Sequence, residues 1–443
     1  MIKTIYQSYD KDHLFEEVAL SNQSELATEI IEIEVDSAQK FQTIDGFGAS
    51  FTDSAAYLVD KILSEKDKKA VMNRLFDDQD GIGLSIIRNP MGASDYARFI
   101  YSYNDLSKED ETNDPELTKF SIAHDRESIL PLTKWAQELN PLLKVFASPW
   151  SAPGWMKTSG SMIGGKLLKS SYSAYAAYFV KFLQAYQEAG VTIDAVTPQN
   201  EPLYVPVHYP GMELLADEAA EFVSDHLKPA IVKAGLRTKI FGYDHNWDRI
   251  DYPLEMLDKA GDTVDGIAWH WYGGNVINQS RVAEFYPNKE IHFTEGSGGE
   301  WIPEFEPAFS NLMRTTIDIL RNGSQSIVLW NMALDEQNGP TGPGFGQSTC
   351  RGLLKINQSD QTYEYTLDYY GLAHYSKHVR PGARRIFSSE SEGVKSVAFE
   401  NLDLSIVVVL FNNTDEVKNV TLSNLSKGVV EMLPKSATTI KLE

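Results

Sequence analysis

At 443 residues the chain is too long for one ordinary domain and suits an α/β barrel with a smaller attachment. Its 42% apolar residues are those of a globular enzyme, while a net charge of −22 argues against nucleic-acid binding, which rests on a basic surface. One cysteine, Cys350, excludes an internal disulfide and any cysteine-based zinc site.

The segment from Met1 to Asp10 turns polar before a signal-peptide core is complete, and no apolar run reaches transmembrane length. The expectation is a cytoplasmic protein, or a secreted one if a leader has been removed, with no membrane insertion. Residues 1–40 are acidic and mixed. Within them Glu29 to Asp36 alternates strictly, as a strand with one wet face does. From Phe41 onward one unit recurs: an apolar run, a polar or Gly-rich ending, then a longer helix-period segment. The runs are Thr43–Gly48, Leu84–Pro90, Lys144–Trp150, Asp194–Pro198, Lys239–Asp244, Gly266–Trp271, Ile291–Glu295 and Ser326–Asn331. Between them, Tyr172–Ala189 and Pro307–Arg321 carry apolar residues at spacings of three and four. Strands alternating with helices imply parallel pairing, and eight units imply closure into a (β/α)8 barrel. The first run, rich in glycine, also reads as a loop. The charged stretch Lys108 to Glu116 reads as a solvated loop.

After Arg380 the texture changes to short β runs parted by turn residues: Val394–Phe399, Leu404–Phe411, Lys418–Leu422 and Thr438–Leu442. These predict an antiparallel β-sandwich, which the early strand near Ile31 would complete. The expected organisation is therefore 1–40 joining the sandwich, 41–378 the barrel, and 379–443 the rest of the sandwich, so that both termini meet in one side domain.

In a parallel barrel all strand C-termini open on one face, where active sites collect. The strand ends bring Arg88, Trp150, Asn200, Glu201, Asp244, His245, His270, Trp271, Tyr272, Glu295, Trp330 and Asn331 to that mouth. Tryptophans beside polar groups suit a sugar, whose C–H faces pack on rings while its hydroxyls need partners. Glu201 and Glu295 each terminate a strand, and two facing carboxylates are the minimum for cutting a glycosidic bond. The blander readings are a surface carboxylate for Glu201, a cap neighbour for Glu295, core aromatics for Trp150 and Trp330, and a structural histidine for His270. A lone Gly296-Ser297-Gly298-Gly299 without a following lysine is a weak phosphate loop. No second histidine stands at ligand spacing from His270 on its own element, so no metal is expected. Arg88 needs a carboxylate partner, either Asp95, near in sequence, or Glu295, across the mouth.

Asp45-Gly46-Phe47-Gly48-Ala49-Ser50-Phe51-Thr52-Asp53, Arg88-Asn89-Pro90-Met91, the stretch Ala147 to Thr158, Pro198-Gln199-Asn200-Glu201-Pro202, His270-Trp271-Tyr272, Thr294-Glu295 and Trp330-Asn331 fall in order along the chain. Together they resemble glycoside hydrolase family 30, which includes glucosylceramidases and β-1,6-glucanases. The resemblance implies a clan A barrel with a β-sandwich built from both termini, Glu201 as acid/base and Glu295 as nucleophile. It also implies that Arg88, Asp95, Trp150, Asn200, His270, Tyr272 and Trp330 shape the subsite of the cleaved sugar. Pro-Gln-Asn-Glu-Pro and Ser161-Met162-Ile163-Gly164-Gly165 look closer to the β-1,6-glucanase branch, and the loop from Asn338 to Gly346 is richer in glycine than in lysosomal-type glucosylceramidases.

The expected activity is a retaining β-glycosidase acting on β-glucosides, with no cofactor. Its carboxyl groups would stand roughly 5–5.5 Å apart. Glu201 would sit where ionisation is disfavoured, and Asn200 would hydrogen-bond the sugar 2-hydroxyl. Alternatives are a β-xylosidase or β-fucosidase of the same family, or a barrel that binds carbohydrate without cutting it. A serine hydrolase would need a Gly-x-Ser-x-Gly elbow, which the sequence lacks.

Overall fold

A computed structural model of the chain describes residues 2–20, 29–107, 112–391, 393–426 and 428–443. Eight parallel strands close a barrel: β1 (Gly46–Ser50), β2 (Ile86–Pro90), β3 (Lys144–Ser148), β4 (Ala195–Val196), β5 (Lys239–Asn246), β6 (Gly266–His270), β7 (Glu290–Glu295) and β8 (Ser326–Leu329). They are the eight runs read from the sequence. The Gly-rich first run is a strand, paired with β8 through Ser326↔Gly46 and with β2 through Gly48↔Ile86. Its glycine has a packing reason: a Cβ on Gly48 would lie 1.7 Å from the Ile86 carbonyl oxygen.

Alternation along the strands separates two cores. Ile86, Phe146, Ala195, Phe241, Ala268 and Val328 fill the barrel's interior. Their neighbours Ile87, Val145, Val196, Ile240, Ile267 and Ile327 face the surrounding helices. The Tyr172–Glu188 helix buries Tyr175, Phe179, Phe182 and Tyr186 at the predicted spacing, and the Phe305–Arg321 helix does the same with Phe309, Met313, Ile317 and Leu320. Each such side chain stabilises the fold by about 1.5–3 kcal/mol.

Both chain ends enter a second sheet, whose hydrogen-bonded order runs Val429–Met432, Lys418–Ser423, Ile30–Thr43, Arg384–Ser388, Val394–Glu400, Ile406–Asn412, Ala437–Leu442, Ile2–Ser8, Glu16–Glu17. It folds over a core of Ile33, Val35, Ile386, Ala398, Val408, Val420 and Ile440, while Val397, Phe399, Val407 and Val409 on its other face join the main core. The sandwich is not wholly antiparallel. Ile30–Thr43 pairs parallel with Lys418–Ser423, because its partner arrives after a long excursion rather than by a hairpin.

The solvated-loop reading of Lys108 to Glu116 holds at Thr112, Asn113, Pro115 and Glu116, which are exposed and outside any helix or strand, and fails at one position. Residues 108–111 lie outside the described residues, but Asp114 is buried and accepts hydrogen bonds from Asn104 Nδ2 (3.0 Å), Thr118 Oγ1 (3.0 Å) and the Lys119 amide (2.9 Å), so it closes a turn. Among the described residues no helix is long and apolar enough to cross a membrane.

Candidate active site at the barrel mouth

One step beyond the apolar interior, the inward positions turn polar: Arg88, Ser148, Thr197, His270 and Thr294 follow Ile86, Phe146, Ala195, Ala268 and His292 by two residues. They converge on Asp244. Its carboxylate accepts hydrogen bonds from Arg88 (2.9 Å), Ser148 Oγ (2.9 Å), Thr197 Oγ1 (2.6 Å) and Thr294 Oγ1 (2.7 Å), and lies 3.0 Å from His270 Nε2. Burial opposes its charge, but Arg88, His270 and Thr197 hold it far below the ordinary carboxylate range.

Period-two counting from Phe241 would turn Tyr243 inward and Asp244 outward. The register between β5 and β6 slips between Tyr243 and His245, and Tyr243 (φ 72°) and Asp244 (φ 60°) both adopt left-handed backbone. This bulge sends Tyr243 to the helix-side core and Asp244 into the mouth. Glu201 (φ 46°) and Asn331 (φ 63°) are strained in the same sense. Such residues persist only where their surroundings over-determine them. For Glu201 the hold includes its amide, which donates to the Asp244 carbonyl at 3.0 Å.

Arg88 is fully buried and links the candidates. It donates to Glu295 Oε2 (2.8 Å), Asn200 Oδ1 (2.7 Å) and Asp244 Oδ2. Its partners are thus Glu295 and Asp244; Asp95, the other expected partner, instead accepts from Trp330 Nε1 at 3.4 Å. Because a guanidinium only donates, Asn200 must turn its oxygen toward Arg88, which leaves its NH2 group as the donor. Tyr272 donates to Glu295 Oε1 at 3.0 Å.

His270 Nδ1 lies 3.2 Å from Glu201 Oε1 and 4.0 Å from Glu295 Oε1, so both carboxylates flank one imidazole nitrogen. His245 Nδ1 stands 3.5 Å from the same Glu201 oxygen, too far for a formed hydrogen bond. Burial pushes Glu201 up, but the two imidazoles overcome it and hold the carboxyl at about 2. Burial disfavours ionisation of Glu201 as expected, but the two histidines that face it outweigh that effect. Burial also resists charge on His270, yet Glu295, Asp244 and Glu201 raise it to about 9. Burial, with the charge of Glu201, raises Glu295 while His270 and Arg88 oppose. Asp95 is raised to about 8 by burial and by Glu295, and its Oδ1 has no hydrogen-bond partner.

Trp150 and Trp330 stack at 4.9 Å and 19°, with the Arg88 guanidinium 4.9 Å over Trp150. Buried with Tyr96 and Leu334, they form a wall whose ring faces are largely taken by each other and by Arg88. The loop from Asn338 to Gly346 closes over Asp95: the Gly342 amide donates to the Asp95 carbonyl at 2.7 Å, and Phe345 packs edge-on against Tyr209. All nine residues expected at the site thus meet at one mouth. Asp244 and His245 stood among the strand ends without a role, because their orientation depends on a bulge that no spacing rule encodes.

Residues 44–379 match the model of the glycosyl hydrolase family 30 TIM-barrel domain, and residues 382–440 that of the family's beta sandwich domain. The chain belongs to glycosyl hydrolase family 30. Within that family it is 34% identical to an endo-1,6-beta-D-glucanase of Neurospora crassa over 388 residues, spanning 84% of this chain and 79% of the relative. It is 28% identical to the lysosomal acid glucosylceramidase of Mus musculus over 419 residues, spanning 89% and 79%. A solved endo-beta1,6-glucanase structure superposes with a TM-score of 0.88 at 32% identity, covering 99% of this chain and 98% of that one. As a family 30 member the protein is a glycoside hydrolase of the retaining β-glycosidase type.

Proposed function

We propose that the protein hydrolyses β-1,6-linked glucan chains and gentio-oligosaccharides by double displacement, with Glu295 as nucleophile and Glu201 as acid/base. The observation that carries the assignment of roles is the unequal company of the two carboxylates around His270. Glu295 receives a permanent cation and a phenol, the donors that hold a carboxylate ready to attack. Among the described residues Glu201 is faced by the imidazoles of His270 and His245, and His270 can take up and return a proton.

In the first step Glu295 bonds to the anomeric carbon as the bond to the leaving oxygen breaks, and Glu201 gives that oxygen a proton. The proton is at hand: His270 holds one 3.2 Å from Glu201 Oε1, and a glycosidic oxygen that displaces water from Glu201 makes its charge costlier. Transfer from imidazolium to carboxylate leaves the net charge of the site unchanged. In the second step water attacks the anomeric carbon, Glu201 takes its proton, and the ester to Glu295 breaks. The Asn200 NH2 group serves the 2-hydroxyl, and Asp95, with its free oxygen, a further hydroxyl of the same ring.

The likeness to endo-1,6-beta-glucanases at 34% and 32% identity supports the β-1,6-glucan reading. A glucosylceramide-like aglycone is the second reading, favoured by the exposed apolar residues Tyr204, Val205 and Val207 on the loop after Glu201. The test is a product profile over gentiobiose, a β-1,6-glucan, other β-linked glucose disaccharides, xylo- and fucosides, and glucosylceramide in detergent, with the first-formed anomer read by NMR. Preferential cleavage of β-1,6 linkages with β-glucose appearing first is expected. Cleavage confined to xylosides or fucosides would overturn the substrate, and α-glucose appearing first would overturn the mechanism.

A further inference from the structure

We propose that Glu201, His245 and His270 form a binding site for a divalent transition-metal ion of the zinc type, and that filling it shuts hydrolysis off. The three residues come from the loop after β4, from β5 and from β6, so no spacing along one element announces them. Their ligand atoms all lie within 4.8 Å of one another, with Glu201 Oε1 3.2 Å from His270 Nδ1 and 3.5 Å from His245 Nδ1. A tetrahedral zinc ion with bonds near 2.1 Å sets its ligand atoms about 3.4 Å apart, so two edges of the polyhedron already have nearly the right length. The third closes by rotating His245.

Two independent features point to a ligand. His245 is only 8% exposed, and its Nδ1, directed at Glu201, has no hydrogen-bond partner. A buried imidazole nitrogen left in this way is unusual and calls for a reason. Asp244, for its part, faces His270 Nε2 at 3.0 Å. A carboxylate on the far nitrogen fixes the ring and turns the near one outward as a lone pair, the arrangement that orients metal-bound histidines. Charge favours a dication as well, since His270 lies among Glu201, Asp244 and Glu295, and the last two share one permanent cation, Arg88. Two nitrogens and one oxygen suit zinc, cobalt, nickel or copper, whereas magnesium and calcium ask for oxygen alone.

The fourth coordination position faces the cleft, and binding releases the His270 Nδ1 proton to solvent. The ion then occupies the carboxylate oxygen that would protonate the leaving group. The block on hydrolysis rests on Glu201 being the acid/base; the binding does not.

The test uses protein stripped with EDTA and dialysed, then titrated calorimetrically with zinc chloride, with cobalt(II) absorption as a second probe. One ion per chain, loss of aryl β-glucoside hydrolysis in step with binding, recovery on adding EDTA, and no effect of magnesium or calcium are expected. His245→Gln should weaken zinc binding at least roughly tenfold, and Glu201→Gln should do the same if the first variant does not fold. Glu295→Gln, inactive by the proposed mechanism, should keep one zinc ion per chain and lose less affinity than His245→Gln, since it removes a nearby charge but no ligand. Absence of stoichiometric binding at about 1 mM zinc, or binding unchanged in His245→Gln and Glu201→Gln, would overturn the site. Zinc bound through these residues with turnover intact would uphold the site and refute Glu201 as acid/base.

Discussion

At the N-terminal end of the barrel Lys144 pairs with Asp45 at 2.7 Å, Lys239 with Glu290 at 2.5 Å and Lys228 with Asp265 at 2.9 Å. Each joins a lysine to a carboxylate and is partly open to water, and Asp45, Lys144 and Lys239 line a cavity of about 350 Å³. At the C-terminal end the same strands set Asp244 and Glu295 on a single buried guanidinium and Glu201 against His270, on backbone held in left-handed conformations at Glu201, Tyr243, Asp244 and Asn331. Charges gather at both ends. What distinguishes the mouth is an excess of carboxylate, buried at Asp244 and Glu295, held on left-handed backbone and by a proton on His270. Balanced pairs stabilise a rim, whereas an unbalanced cluster has charge to spend on a substrate.

The contrast breaks most sharply at Glu201. Glu201→Gln should lower kcat on natural glycosides by about 10²–10⁴-fold while sparing aryl glucosides whose leaving group needs no proton. Equal loss on both would remove the acid/base role. Next in size is Arg88→Met, which leaves Glu295 and Asp244 buried without their cation. Urea unfolding should show a loss of about 3–5 kcal/mol, and an unchanged midpoint would mean that the cluster is not held by that charge.

How much of this was legible in the chain follows from what each feature depends on. Barrel strands and sandwich runs depend on apolar periodicity, which a sequence displays directly, so even the short β4 was found from Ala195-Val196 and the proline after it. Glu201 and Glu295 were legible because each ends a run. Asp244 and His245 were placed at the mouth but given no role, since what each faces there comes from a slipped register at Tyr243, and the charge balance at Glu201 stayed hidden with them. Asp114 looked like one more charge in an acidic stretch because its partners Asn104 and Thr118 are turn contacts without a pattern.

The proton on His270 gives a smaller, pH-dependent effect. Its pKa is raised to about 9, so its contribution to stability is complete below about 6.5 and is lost as pH rises through 9. Asp95, raised to about 8 and thus neutral in the fold, acts in the same direction. With chelator present, unfolding free energy should fall between about pH 6.5 and 9, and a flat or rising curve would show the mouth to be balanced after all. The smallest effect belongs to the other end. Lys144→Met should cost less than about 1 kcal/mol and leave kcat unchanged, and a large loss of either would erase the distinction between the two ends.

The most direct test of the central claim is covalent trapping. An activated 2-deoxy-2-fluoro β-glucoside forms its glycosyl ester quickly and releases it slowly, so the nucleophile stays labelled for peptide mass spectrometry. The account predicts one sugar per chain, on Glu295. A label on Glu201 or Asp95, or no adduct in protein that turns over natural substrate, would contradict it.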